Sequence, residues 1–149
     1  MKASVWGPAT WNLLHTIVEK IYNDKFNNCK NDIYKMITLI CTNIPCPICK
    51  ENAITYLNKN NINNATTKEM LKRYIFNLHN EANIHANNPI YDQSVLQQYE
   101  RMTFSDVFFK YYTLYNTKKS DDIHYSFRKT INLRDLHKLL IKNTNNFTY

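Results

Sequence analysis

The stretch Asp32–Leu57 reads DIYKMITLICTNIPCPICKENAITYL, and its reading decides the fold. From Asp32 to Thr42 the apolar residues Ile33, Met36, Ile37 and Ile40 recur at helical spacing and predict one buried helix face. Pro45 and Pro47 end that pattern, and a fresh helix starts with Ala53, Ile54 and Leu57 as its inner side. Between the two helices, Pro45-Cys46-Pro47-Ile48-Cys49 sets two thiols three residues apart at a helix N-terminus. A thioredoxin-type host would need a strand before this pair and a βαβ frame, whereas helices are predicted on both sides.

Outward from this stretch the helical reading continues. Leu13, Leu14, Ile17, Val18 and Ile21 predict a helix over Ala9–Ile21, with Pro8 suited to its start and Asn23–Asn28 as the loop after it. Asn58–Asn64 reads as a loop, and Thr66 with Glu69 forms a capping box for a helix bearing Leu71, Ile75, Leu78 and Ala82. A short helical turn is expected near Ser94–Tyr99. Phe104–Tyr115 and Ile131–Ile141 are expected as helices, and Asn143–Tyr149 as a frayed end. No period-2 run demands a sheet. The expected fold is all-α, four or five helices over residues 1–102 and a C-terminal helical extension over 103–149.

Composition bounds the function. The chain has 149 residues, 44% apolar and 13% aromatic, enough for one buried core. One Gly and four Pro exclude collagen-like and Gly-rich linker classes. The net charge of +7 permits an anionic partner, but the basic residues are scattered, so no nucleic-acid partner is expected; Lys118-Lys119 and Arg128-Lys129 read as solvated charge. No apolar run is long enough for a bilayer and no secretory leader is legible, so neither a membrane partner nor secretion is expected. Four cysteines in a reducing compartment then point to redox chemistry or metal.

The first turn of a helix stabilises thiolate over thiol through its free N–H groups and dipole, making a Cys46/Cys49 pair competent for exchange. Zinc is the alternative, in a helical interaction module using all four cysteines. It lacks context, because Cys29 and Cys41 are not closely spaced, are placed on separate elements, and have no adjacent His. A second constellation is Trp6-Gly7-Pro8-Ala9-Thr10-Trp11-Asn12-Leu13-Leu14-His15, where Trp11 and His15 share a helix face. A third is His79-Asn80-Glu81-Ala82-Asn83, with His79 and Asn83 one turn apart beside an apolar stripe. Buried His and Asn need polar partners, which a heteroaromatic ligand or neighbouring backbone would supply.

The order WGxxxWxxLH, PCxxC, HNxxN on an all-α chain resembles the Erv/ALR family of FAD-dependent sulfhydryl oxidases over about residues 6–100. It is most similar to the short forms of large cytoplasmic DNA viruses, in keeping with an AT-rich composition. The resemblance implies a four-helix bundle around FAD with a short fifth helix, and a homodimer. It implies that Cys46 and Cys49 form the redox-active disulfide, with Cys46 attacked by substrate and Cys49 facing the isoalloxazine. Gly7, Trp11, His15 and Ala53 would adjoin the flavin; His79, Asn80 and Asn83 would contact FAD, with Tyr99 near the adenine. No metal is implied. Protein dithiols, directly or through a thioredoxin- or glutaredoxin-like relay, would be the electron donor and O₂ the acceptor, giving H₂O₂. The implied setting is virion protein oxidation in the host cytoplasm. The sequence departs from the family where Phe76 and Gln93 stand in place of a structural disulfide, and Asn88 in place of a basic residue before Pro89; Lys72 or Arg73 would have to compensate. Cys29 and Cys41 read as buried, inert thiols.

Overall fold

Helix α1 (Ala3–Glu19) is the axis of the computed structural model, which describes residues 1–117 and 121–149; Lys118 and Lys119 lie outside the described residues. Leu13, Leu14, Ile17 and Val18 are buried, as expected, but so are Thr10, His15 and Thr16. A helix buried on most sides needs neighbours on most sides, and α1 meets α2 (Phe26–Thr42), α4 (Lys68–His85), α5 (Gln97–Glu100) and α6 (Phe104–Thr117). Its buried hydroxyls are satisfied: Thr16 donates to the Asn12 carbonyl at 2.6 Å, and Thr10 shares a 2.8 Å hydrogen bond with Tyr115. The helix begins six residues before the expected Ala9, with Pro8 inside it, so Trp6 and Gly7 are helical.

α3 (Pro47–Lys59) packs between α2 and α4, and α4 returns to α1, which closes a four-helix bundle. α2 starts at Phe26 rather than Asp32, so Cys29 and Cys41 ride on one helix and not on two elements. α4 is capped by Thr67, whose hydroxyl accepts the Met70 N–H at 3.1 Å, one residue later than the Thr66 box expected. A 3₁₀ turn, Gln93–Leu96, and α5 form the short fifth element around the expected Ser94–Tyr99. Among the described residues no strand occurs beyond a single bridge, and the all-α reading stands.

The extension is helical and joins the same core. Phe104, Val107, Tyr111 and Tyr115 recur at helical spacing on α6 and are buried, whereas Phe109 points outward. α7 (Ile123–Lys142) starts eight residues before Ile131, capped by Asp122, and packs along α2. Asp32 ties the far end, accepting from Asn143 at 3.0 Å and Lys142 at 2.9 Å, contacts that hold its carboxyl below its ordinary pKa.

The chain end is not frayed. Phe147 is 2% exposed, stacks on Phe104 at 4.9 Å and bridges Ile21, with Tyr22 N–H donating to Asn146 and Thr148 N–H to Lys20. The polar run Asn143–Asn146 hides this from periodicity, since a single aromatic does the anchoring. Phe147→Ala should lower the unfolding free energy by about 3 kcal/mol, read as a shift in urea midpoint; an unchanged midpoint would show a loose end.

Candidate active site

The loop Asn43–Cys46 carries the chain from α2 to α3. Cys46 is the N-cap of α3 with extended backbone, and Pro47 follows at the first helical position, where its missing N–H costs nothing. Cys46 and Cys49 are disulfide-bonded to each other, and both are half-buried. The Cys49 N–H donates to Cys46 Sγ at 3.2 Å. That donor and the helix dipole both favour negative charge on Cys46 once the bond opens.

Cys49 forms part of the wall of a cavity of about 470 Å³, within the range of small-molecule sites. The wall is mostly apolar. α1 contributes Gly7 and Trp11, α3 Cys49 and Ala53, and α4 His79 and Asn83; Tyr91 and Tyr99 complete it. An aromatic block backs one side. Trp11 and His79 stack at 4.0 Å with 6° between planes, Tyr91 meets His79 edge-on at 5.0 Å, and His15 stacks on Tyr99 at 4.2 Å. His15 Nε2 and His79 Nδ1 are hydrogen-bonded at 3.0 Å. Burial pushes His15 down to about 3, helped by the neighbouring His79, and burial pushes His79 down to about 4. The two rings are therefore a neutral pair near pH 7, one nitrogen giving and the other accepting.

Gly7 is informative because it is the chain's sole glycine. Glycine within a helix costs about 1 kcal/mol relative to Ala. A Cβ there would meet nothing of the protein within 4 Å, yet Gly7 lines the cavity. The protein's own packing does not require the missing methyl, and the position opens onto the cavity. Gly7→Ala should raise the melting temperature of the ligand-free protein by a few degrees and weaken ligand binding. A variant that binds as well as wild type would contradict this.

Most of the expected residues meet here. Cys49, Gly7, Trp11, Ala53, His79, Asn83 and Tyr99 line the cavity. Cys46, His15 and Asn80 are not among the lining residues. His15 lies behind His79, and Asn80 acts as a clamp, accepting the Tyr91 N–H at 2.8 Å and donating to the Tyr91 carbonyl at 3.1 Å. Tyr91, Leu78, Ala82 and His85 were not legible as site residues. The chain turns back over the cavity because Asn87 takes a left-handed φ of 55° and Asn88 N–H closes on the Asn83 carbonyl at 2.8 Å. The Asn87-Asn88-Pro89 run was the available signal for that turn.

Lys72 and Arg73 do not reach the cavity; Lys72 pairs with Glu19 at 2.8 Å. The other two cysteines are remote in character. Cys41 is fully buried and its thiol is pushed up to about 12, while burial and the Asp32 charge raise that of Cys29. Among the described residues no group of three or more His, Cys, Asp or Glu side chains is arranged to hold a metal, so the four-cysteine zinc set is not assembled.

The family model for the Erv1/Alr family matches residues 8–103. A fowlpox virus (strain NVSL) protein named a probable FAD-linked sulfhydryl oxidase is 29% identical over 80 residues, covering 54% of this chain and 80% of that protein. An African swine fever virus (isolate Pig/Kenya/KEN-50/1950) protein named FAD-linked sulfhydryl oxidase is 31% identical over 111 residues, covering 64% of this chain and 87% of its own. A second such protein, from isolate Tick/Malawi/Lil 20-1/1983, is 28% identical over 106 residues, with coverage of 64% and 87%. No solved structure matches the chain significantly. With the disulfide at the α3 N-terminus, the aromatic cavity beside it and the family match over most of the bundle, the chain belongs to the Erv1/Alr family.

Proposed function

We propose that this chain is an FAD-linked sulfhydryl oxidase that makes disulfides in protein dithiols and passes the electrons to O₂. The observation that carries the reading is the opening of Cys49 into a mostly apolar, aromatic-backed cavity beside Gly7 and Ala53. The residues fit FAD. The cavity is of ligand size, Gly7 leaves open space beside it, and aromatic faces with polar Asn83 and His79 suit a flat heteroaromatic system. Gly7, Trp11, Ala53, His79, Asn83 and Tyr99 would hold it directly, with His15 and Asn80 fixing His79 and Tyr91 from behind.

In the proposed cycle a substrate thiolate attacks Cys46 Sγ, the substrate–Cys46 bond forms, the Cys46–Cys49 bond breaks, and Cys49 leaves as thiolate. A second substrate thiolate attacks the substrate sulfur of that mixed disulfide, releasing oxidised substrate and the Cys46 thiolate. The Cys49 N–H and the α3 dipole stabilise the charge on Cys46. Cys49 holds its charge at the cavity wall. The chemistry FAD supplies when bound is acceptance of two electrons as the disulfide closes again and their delivery to O₂ as H₂O₂. His15 and His79, held neutral, fix the wall without adding charge to it.

The reading extends to a homodimer in which residues 1–102 form the oxidase unit and 103–149 a packed extension. It also extends to virion proteins as substrates, reached directly or through a thioredoxin- or glutaredoxin-like relay, in the host cytoplasm. No helix among the described residues is long and apolar enough to cross a membrane. The test is oxygen uptake by FAD-loaded protein on addition of a dithiol, with peroxide formed in equal amount; loaded protein that consumes no oxygen overturns the reading. Cys29→Ser/Cys41→Ser should keep turnover within about twofold, since inert buried thiols take no part. A large loss with intact folding would make one of them a relay.

A further inference from the structure

Tyr99 belongs to α5, a helix of only four residues. A single helical turn has no stability of its own, because its nucleus costs more than its few hydrogen bonds return. The bonds that close α5 are also long: Arg101 N–H reaches the Gln98 carbonyl, and Met102 N–H the Tyr99 carbonyl, both at 3.3 Å. Neighbours must therefore hold Tyr99 in place. Its ring stacks on His15, and the chain that follows it is tied down by two links that both lead to the C-terminal tail. In the first, the Lys20 ammonium donates to the Glu100 carbonyl at 2.7 Å. Lys20 is the C-cap of α1, and its own carbonyl accepts the Thr148 N–H at 2.8 Å and the Thr148 hydroxyl at 3.3 Å. In the second, Phe104 stacks on Phe147 with 5° between planes, and the Tyr149 ring packs beside it at 5.9 Å. Phe147 itself stands outside the cavity wall and outside the residues matched by the family model.

Resting on the oxidase reading above, we propose that Phe147 is a positioning residue: the docked tail holds α5, and with it Tyr99, so that the C-terminal extension sets the affinity for FAD. Removing the Phe147 ring takes away the stacking partner of Phe104 and loosens the tail from the Lys20 carbonyl. The bundle of α1 to α4 keeps its own packing. Local opening then falls on the least supported element, which is α5. Tyr99 would be in place for only part of the time, and the apparent affinity of a ligand that needs it drops by that fraction. The effect is transmitted through α5 and Lys20, since Phe147 reaches no ligand in the cavity.

The test is equilibrium dialysis of the oxidised, FAD-stripped full chain against FAD, with far-UV circular dichroism showing that each variant is folded. Phe147→Ala should bind FAD about tenfold more weakly than wild type, and Phe147→Leu, which refills most of the space, should recover most of the loss. Tyr99→Leu should also bind more weakly. Because the two residues act in series, Phe147→Ala/Tyr99→Leu should bind no more weakly than Tyr99→Leu alone. The urea midpoint, in contrast, should fall with Phe147→Ala in both backgrounds, which separates positioning from stability. Should Phe147→Ala not fold, Lys20→Met carries the test: it keeps the carbonyl on which the tail docks, removes the ammonium from Glu100, and should weaken binding about threefold. A folded Phe147→Ala that binds within about twofold of wild type overturns the proposal. So do losses that multiply in the double variant, a Tyr99→Leu that binds as tightly as wild type, or unchanged binding by Lys20→Met. Absence of FAD binding to folded wild type overturns instead the cofactor reading on which the inference rests.

Discussion

Cys49→Ser should retain bound flavin and lose dithiol oxidation by roughly 10³-fold or more. The asymmetry follows from position. Cys49 lies at the cavity wall and Cys46 does not, so the sulfur that must face the cofactor is Cys49. Cys46 would remain as the N-cap thiol, with the Cys49 position's N–H still donating to it, but without a partner sulfur it offers a substrate thiolate no disulfide to attack. Serine fills nearly the same space, so the cavity keeps its wall and the visible spectrum of the bound cofactor should persist. What disappears is the pair that carries two electrons. Steady-state oxygen uptake, with absorbance to count the flavin, measures both at once. Turnover within tenfold of wild type in a flavin-loaded variant would remove Cys49 from the mechanism.

The flavin-free protein should lose stability steeply on mild acidification. Histidine in the unfolded chain has its ordinary pKa of 6.5, whereas His15 is lowered to about 3 and His79 to about 4 by burial. Below pH 6.5 the unfolded state takes up protons that the folded pair refuses. The contribution is therefore fully present above about pH 6.5, is lost as pH falls toward 4, and levels off below about 3. Each histidine contributes up to about 1.4 kcal/mol per pH unit, so the loss between pH 6.5 and 4.5 should reach about 4 kcal/mol. That is a large share of the stability of a small domain. Urea midpoints at pH 7, 5.5 and 4.5 read it directly, and His15→Gln should flatten the profile. Midpoints that do not move over this range would show that the two rings are not held neutral.

What could be read from the sequence follows from where periodicity carries information. Ile33, Met36, Ile37 and Ile40 announce a buried face, and all four are fully covered. The helix starts were poorly legible. Pro8 looks like a boundary, yet it is accommodated inside α1, and the first half of α7 is masked by His124, Ser126, Arg128 and Lys129. Lys129 is in fact buried, near the Tyr125 ring at 5.8 Å. Tail docking by Phe147 is a long-range event that no local pattern encodes. At the cavity, the three short motifs supplied about half of the wall because their lining residues sit on regular helices. Tyr91 escaped because its placement depends on a left-handed Asn87 and on the Asn80 clamp, both of which are tertiary outcomes, whereas His85 lies in the last turn of α4, outside the three motifs.

The central claim is that the cavity beside Cys49 binds FAD and exchanges electrons with the Cys46–Cys49 pair. The most direct measurement is the visible absorption spectrum of the purified, flavin-supplied protein, followed anaerobically through addition of a dithiol. Flavin bands at about one per chain that bleach with dithiol and return with air are the predicted result. A protein that stays colourless after FAD is added, or a bound flavin that dithiol cannot bleach, would contradict the account.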